Sequence, residues 1–570
     1  MISAIFRHTV LISFLIFAVM GMLTNNPPAM RKLVRSLHRL KGRIPDDAAW
    51  ESIEMVILTI REEIGLGKSR TAGTDSALTS VRPCLALQTI HCRVYRPFHP
   101  RLRSSGLKTG RSFNEIIFGI RSKMKEIIFV VVMASVCRLF AQYDGTISAD
   151  SAQAVFLGEH PGDLAGHHVA MAPDLNNDGY DELLVTAPLW DLNSQSTSHG
   201  RVYLYYGKSQ GWNGAISLAD ADALFHGAYA LNEASHDAFG VGDINHDGYH
   251  DLAIAIKKTQ APQGGNRLGK VYLYFGKSAR LSGEMSLEDA DASLVGNAIG
   301  AEAAHVKGVG DLDKDGYDDF VIGAGFHPQV GAEAGKIYVF FGKDRSLWTK
   351  NADMEAACDA SYLAESAGDW AGHRVSGLGD VNGDGYADLL IGANHRPIGD
   401  NSYAGTVYLI LGRARHLWGK DVSLSQADAS WIGETNRQNL GWNVAHVGDV
   451  DGDALDDLFF SNGSSTYYLI PAKKLRLDRD MPISSVGATV FTHASKVEDG
   501  IGHDITGIGD INLDGFDDFL IGNSLVSDPV MGTAVGKSYL FMGRAEWPAS
   551  VAMASAKAVF TGEAANDEFG

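Results

Sequence analysis

From Ala154 onward, short apolar runs alternate with clusters of Gly, Asp and Asn, and the alternation itself repeats along the chain. The runs LLVTAP, LAIAI, FVIGAG, LLIGAN, LFFSN and FLIGN recur at near-regular intervals. Later in most units comes a segment rich in β-branched and aromatic residues: GRVYLYYG, GKVYLYFG, GKIYVFFG, GTVYLILG, STYYLIP or GKSYLFMG. A further short segment such as AVFLG, SLVG, SWIG or TVFT leads into the next unit. Runs of this composition, bounded by turn formers, predict strands. Helical periodicity is weak outside stretches such as LADADAL. Four strand-length segments per unit, repeated many times, predict an all-β fold: a β-propeller of four-stranded blades. A β-helix has much shorter periods, and a helical solenoid has 3.6-residue patterning.

Each unit carries one acidic nonapeptide: Asp174–Glu182, Asp243–Asp251, Asp311–Asp319, Asp380–Asp388, Asp449–Asp457 and Asp510–Asp518. Successive copies start 69, 68, 69, 69 and 61 residues apart. Eight residues before the first Asp stands Gly166, Gly372, Gly441 or Gly502, with Ser235 and Ala303 in copies two and three. Residues 151–166 and 555–570 are close copies of one another, so the sequence stops as a seventh unit opens. The expectation is six full repeats plus the start of a seventh, in a seven-bladed ring whose last blade is cut short. A six-bladed ring is the alternative.

The nonapeptide pattern Asp-x-Asx-x-Asp-Gly-x-x-Asp places side-chain oxygens at positions 1, 3, 5 and 9, with the carbonyl of position 7 able to complete a ring. Calcium takes six to eight hard oxygen ligands, which such a loop supplies. The predicted ligands of copy three are Asp311, Asp313, Asp315, the Tyr317 carbonyl and Asp319. Copy one offers Asp174, Asn176, Asp178, Tyr180 and Glu182, and copy two offers Asp243, Asn245, Asp247, Tyr249 and Asp251. Copy four offers Asp380, Asn382, Asp384, Tyr386 and Asp388, and copy six offers Asp510, Asn512, Asp514, Phe516 and Asp518. Copy five has Asp449, Asp451, Asp453, Leu455 and Asp457, but Ala454 replaces the glycine, which predicts weaker binding there. The expected cofactor is therefore calcium, five or six ions.

An EF-hand loop begins the same way but needs a bidentate acid at position 12 and flanking helices. Position 12 here is Val185, Ile254, Ile322, Ile391, Phe460 or Ile521, each inside a strand-like run. The EF-hand is rejected. The plainer alternative is that the acids only cap turns, as Asp-Gly often does. Six copies at one spacing favour the cation, because clustered carboxylates repel one another without one.

The net charge of −19 is unevenly placed. Residues 1–123 carry roughly +11 and the remainder roughly −30. The acidic part has no basic stripe, so a nucleic-acid partner is excluded. Of the four cysteines, Cys84, Cys92, Cys137 and Cys358, only the last lies in the acidic part, which excludes a disulfide framework or zinc cluster there.

Two stretches look like export signals. Residues 9–23 are an apolar run, short for a membrane span. Residues 124–141 read as a second signal peptide, with Lys125 before the run Ile127–Val136 and cleavage after Ala141. The preferred expectation is a natural start at Met124, with 1–123 a basic segment outside the mature protein and 142–570 the propeller. A small basic N-terminal domain behind a short anchor is the alternative.

These repeats resemble the FG-GAP family, the blades of the integrin alpha-chain head. Phe569-Gly570 matches the Phe-Gly pair, Thr186-Ala187-Pro188 nearly matches the Gly-Ala-Pro triplet, and Gly323-Ala324-Gly325 and Gly392-Ala393-Asn394 match more loosely. The resemblance implies a secreted or cell-surface propeller, with calcium in its loops and an extracellular protein or glycan ligand bound by loops on one face. There is no inserted adhesion domain with an Asp-x-Ser-x-Ser motif, and no stalk or C-terminal membrane helix in this sequence, which makes it similar to a stand-alone relative. A similar propeller follows the catalytic domain of glycosylphosphatidylinositol phospholipase D, so a hydrolase accessory domain is the alternative, as is a structural part of a surface assembly. Residues 1–150 carry no His and Asp cluster at ligand spacing, and His-Glu-x-x-His does not occur. Histidines such as His167, His168, His236 and His305 recur near the first strands, where packing or solvation explains them better than catalysis. The chain is therefore read as a binding module and not an enzyme.

Overall fold

The computed structural model describes residues 145–191, 198–227, 234–257, 267–463, 466–492, 504–527 and 532–565. The expected N-terminal segment 1–123, the signal peptide 124–141 and the Phe569-Gly570 pair lie outside these residues. The described chain belongs to one unit, Tyr143–Gly570.

It is an all-β propeller of six blades. The third blade shows the plan: His305–Gly310, Asp319–Ala324, Lys336–Phe340 and Ala360–Leu363 run antiparallel, each beside the next. The others start at Val169–Ala172, Ala234–Gly242, Arg374–Gly379, Asn443–His446 and Asp504–Gly509. Five clusters of buried side chains fill the spaces between adjacent blades; Phe320 and Phe340 stack 5.0 Å apart, for example, against Val271, Leu273 and Phe275 of the second blade.

The expectation of four strands per blade needs one correction. Every blade has a fifth strand, and it is parallel and supplied by the following repeat: Gly283–Ser286 lies along Ala223–His226, and Val422–Ser423 along Ala360–Leu363. The sixth blade takes its fifth strand from Gly145–Ser148, at the start of the described chain. These strands cover sheet edges that would otherwise expose unpaired backbone groups. The LADADAL-type stretches turn the chain into place. Leu218–Asp220 and Leu287–Asp289 are single 3₁₀ turns, and the Asp that follows each accepts a backbone N–H from the third strand's end: Asp222 from Tyr206 at 2.9 Å and Asp291 from Phe275 at 3.0 Å.

A buried cation fastens the fifth strand. Lys336 Nζ, with no exposed side-chain surface, pairs at 2.6 Å with both Glu355 and Asp421, the latter just before Val422. Arg201 does the same with Glu159 and Glu284 in the first blade. The fourth blade has Thr406 at this position, and Arg396 reaches in from the neighbouring loop to bind Glu365 at 2.9 Å and Asp480 at 3.2 Å. One further two-stranded sheet, Ala154–Leu157 with Gly214–Ser217, stands beside the first blade. Val155, Leu157, Val169 and Met171 in this region stay exposed.

Lys336→Ala leaves two carboxylates without their cation in a partly desolvated site. The expected loss of stability is about 2 kcal/mol, at the low side because both acids are a third or more exposed; a loss below ~0.5 kcal/mol in urea unfolding would refute the clamp.

Candidate cation-binding loops

All six nonapeptides connect the first strand of a blade to its second, at one end of the propeller. In four blades a bulge in the first strand just precedes the loop, as between Gly308 and Gly310. Such a bulge re-aims the chain out of the sheet. The same hydrogen bonds then close each loop. The position-1 carboxylate accepts the N–H of position 5 at 3.0–3.1 Å: Asp174 from Asp178, Asp243 from Asp247, Asp311 from Asp315, Asp380 from Asp384, Asp449 from Asp453, Asp510 from Asp514. The position-5 carboxylate in turn accepts the N–H of position 7, at 3.0–3.2 Å, from Tyr180, Tyr249, Tyr317, Tyr386, Leu455 and Phe516.

Position 6 is glycine with φ between +84° and +93° in five copies. In copy five Ala454 adopts φ +72° and still donates to Asp449 at 2.7 Å, so the loop keeps its shape. A left-handed alanine costs about 1 kcal/mol.

Position 9 is fully buried in every copy: Glu182, Asp251, Asp319, Asp388, Asp457 and Asp518. One oxygen accepts the N–H of position 2, from Leu175, Ile244, Leu312, Val381, Val450 or Ile511, at 2.7–3.1 Å. In five copies the other accepts an N–H at the end of the third strand, from Gly276, Gly342, Gly412, Ala472 or Gly543, at 2.7–2.8 Å. Glu182 leaves Oε1 buried without a partner. Burial is the main reason these carboxyls titrate high, with the neighbouring loop acids adding to it. Asp518 is pushed up to about 6, Glu182 and Asp388 to about 7, Asp251 and Asp457 to about 8, and Asp319 to about 9.

The loops also hold one another, through a position that sequence reasoning missed. Position 8 of one copy binds position 1 of the copy before: Asp243 N–H donates to Asp318 at 2.8 Å, Asp380 to Asp456 at 3.0 Å, and Asp449 to Asp517 at 3.0 Å. Gly379, before Asp380, is required here, since a Cβ would collide with the Asp456 carboxylate. The signal was present as Asp-Asp at positions 8 and 9 of copies three, five and six.

The donors are all oxygens, which suits a hard cation. The side-chain oxygens of Asp311, Asp313 and Asp315 lie within 4.8 Å of one another, as do those of Asp449, Asp451 and Asp457. Position 3 is buried in four copies (Asn176, Asn245, Asp313 and Asp451). Neither oxygen of Asp313 or Asp451 has a hydrogen-bond partner, and Asn245 Oδ1 has none either. Buried orphan oxygens are costly. Asp313 Oδ2 and Asp451 Oδ2 each face a cation, Arg415 Nε at 2.8 Å and Lys473 Nζ at 2.9 Å, and the acid triplets of these two loops would fit a divalent ion in its place. In copies four and six, Asn382 and Asn512 accept the N–H of Asp384 and Asp514 at 2.8 and 2.9 Å.

Among the histidines, His305 is buried with Nδ1 3.2 Å from Asp237, His168 packs edge-on 4.6 Å from Phe239, and His167 is exposed. The His236 side chain lies outside the description. At the opposite end of the strands, Phe326, Trp370, His395 and Tyr403 form an aromatic surface in which Trp370 and His395 stack at 3.6 Å. Phe326 and His395 hold one place in successive repeats, 69 residues apart, but differ in residue type, and Trp370 and Tyr403 come from other loops, which hid the cluster in the sequence.

An FG-GAP repeat model matches residues 165–205, 308–340 and 371–410. The chain is 26% identical to integrin alpha pat-2 of Caenorhabditis briggsae over 46% of its length and 23% of that protein's. It is 31% identical to chicken (Gallus gallus) integrin alpha-8 over 39% of its length and 19% of the relative's. It is 36% identical to integrin alpha-PS5 of Drosophila melanogaster over 32% and 17%. The matches thus span about a fifth of these relatives. A solved structure titled BBS1N in complex with ARL6DN overlaps at TM-score 0.31 and 9% identity, over 66% of this chain and 81% of that one.

The raised carboxyls predict a pH dependence in chelator. Folded, they hold protons that the unfolded chain releases near pH 4. This contribution to stability is full below about pH 4 and is lost as pH climbs through about 6 to 9. The melting temperature in chelator is expected to fall between pH 5 and pH 9; a flat or rising profile would contradict the burial assigned to position 9.

Proposed function

From a chain that carries FG-GAP repeats and is similar to integrin alpha chains, we infer an extracellular calcium-binding propeller that acts as a ligand-binding or cell-adhesion module. It is secreted or held at the cell surface, and calcium is structural. The observation that carries this reading is the recurrence of the oxygen-lined loop, in two copies of which three acids bring oxygen atoms within 4.8 Å of one another. Calcium suits the irregular oxygen set better than magnesium, which demands near-ideal octahedral geometry. The ligands are positions 1, 3, 5 and 9 with the carbonyl of position 7, in all six copies. The ions take the place of the disulfides this domain does not use.

The partner is an extracellular protein or glycan, and the aromatic surface around Trp370 and His395 supports placing it at the end away from the calcium loops. Aromatic faces serve both kinds of ligand. The reading is of a binder and not an enzyme. A seventh blade is also inferred. The Ala154–Leu157 sheet has the parallel pairing of a fourth strand with its donated fifth, and three inner strands would cover Val155, Leu157, Val169 and Met171.

Thermal melts of the full chain in millimolar calcium and in chelator test the calcium claim. At a hundredfold excess over Kd each site adds about 2.7 kcal/mol, so a large upward shift is expected, reduced in Asp384→Ala. Identical melts in the two buffers would reduce the loops to acidic turns.

A further inference from the structure

We propose that Arg415 competes with the divalent ion for the loop Asp311–Asp319, so that filling this loop releases an ion pair between the third and fourth blades. The inference rests on the calcium reading above. Position 3 is an acid in only two copies, Asp313 and Asp451, and is Asn in the other four. In both acidic copies a basic side chain stands on it. Arg415 Nε lies 2.8 Å from Asp313 Oδ2, and its NH1 lies 3.1 Å from Asp315 Oδ2. Lys473 Nζ lies 2.9 Å from Asp451 Oδ2. Both are close ion pairs on a buried carboxylate. The attraction is that of charges. In copies one and two the corresponding Arg280 and Arg345 stand on the position-5 acids, Asp178 at 2.7 Å and Asp247 at 3.9 Å; only Arg415 and Lys473 contact position 3.

Arg415 is built to move. It starts the 3₁₀ turn Arg415–Leu417 of the fourth blade, rests over the Phe341 ring at 4.7 Å, and donates weakly to the Gly342 carbonyl at 3.4 Å. Its side chain is 48% exposed, whereas Asp313 has no exposed side-chain surface. A guanidinium beside the acids that would ligate a divalent cation repels that cation. Because its side chain already reaches water, leaving the loop costs it little desolvation. Asp313, being buried, cannot leave.

Isothermal titration of the calcium-free full chain with calcium chloride tests this. Arg415→Gln is expected to lower the Kd of one site at least fivefold and leave the other sites unchanged. Arg415→Lys, which keeps the charge, stays near wild type. In an Asp313→Asn background, which leaves Arg415 only its Asp315 contact, Arg415→Gln shifts the Kd less than it does in the wild-type background. Lys473→Gln provides the same test at Asp449–Asp457 should Arg415→Gln not fold. An unchanged or weakened Kd in both Gln variants, with calcium still bound by the wild type, overturns the competition and leaves the calcium reading standing. No binding by the wild type overturns both.

Discussion

A carboxylate held out of water between two backbone N–H groups is the interaction on which five of the six blades depend, and in the first blade Glu182 keeps one of the two bonds. At position 9 it ties the start of its own loop to the end of the third strand, so three segments of a blade meet on one side chain. Two charge-assisted hydrogen bonds do not offset the burial of a charge unless something else neutralises it. The remaining acids of the loop make this worse, since they repel the same charge. The raised titration of Asp251, Asp319 and Asp457 is the measure of that conflict. A proton relieves it in part, and a divalent cation relieves it fully. The fold thus creates an electrostatic demand at six places, and an oxygen-seeking ion is the chemistry that meets it.

The demand is shared around the propeller. Position 8 of one loop binds position 1 of the loop before it, and the cations of one blade reach the acids of another, as Arg415 does at Asp313 and Asp315. Blade interfaces are otherwise apolar, filled by clusters such as Phe320, Phe340 and Trp348. Those clusters are non-directional. The loops add direction, fixing how one blade is turned against the next. At the outer rim the buried Lys336, Arg201 and Arg396 perform the corresponding task for the donated fifth strands. Losing the loop contacts would therefore loosen that end first while the rim and the apolar faces still hold.

Much of this was legible in the residues. The loops were legible because their acids recur at one fixed spacing, and the strands because Val, Ile, Tyr and Phe recur at blade length. The fifth strand was not, because Gly283–Ser286 and Ala352–Asp353 are too short and too polar to carry a strand signal, and only pairing with a neighbour defines them. The Arg396 substitution was hidden for a related reason. Thr406 breaks the repeat at the cation position, and its replacement arrives from ten residues away in sequence. Ala454 shows the limit of residue-by-residue reasoning: the missing glycine predicts a disturbed loop, yet the surrounding hydrogen bonds hold alanine in the left-handed region. The position-8 contacts join loops about 70 residues apart, where only the assembled ring brings them together.

The most direct test of the central claim is to count the ions. Native mass spectrometry of the protein equilibrated with calcium and exchanged into volatile buffer reads bound calcium as discrete mass steps. The account predicts five or six calcium ions per chain, with Asp384→Ala losing one of them. A chain that flies at its bare mass, while remaining folded, would contradict it.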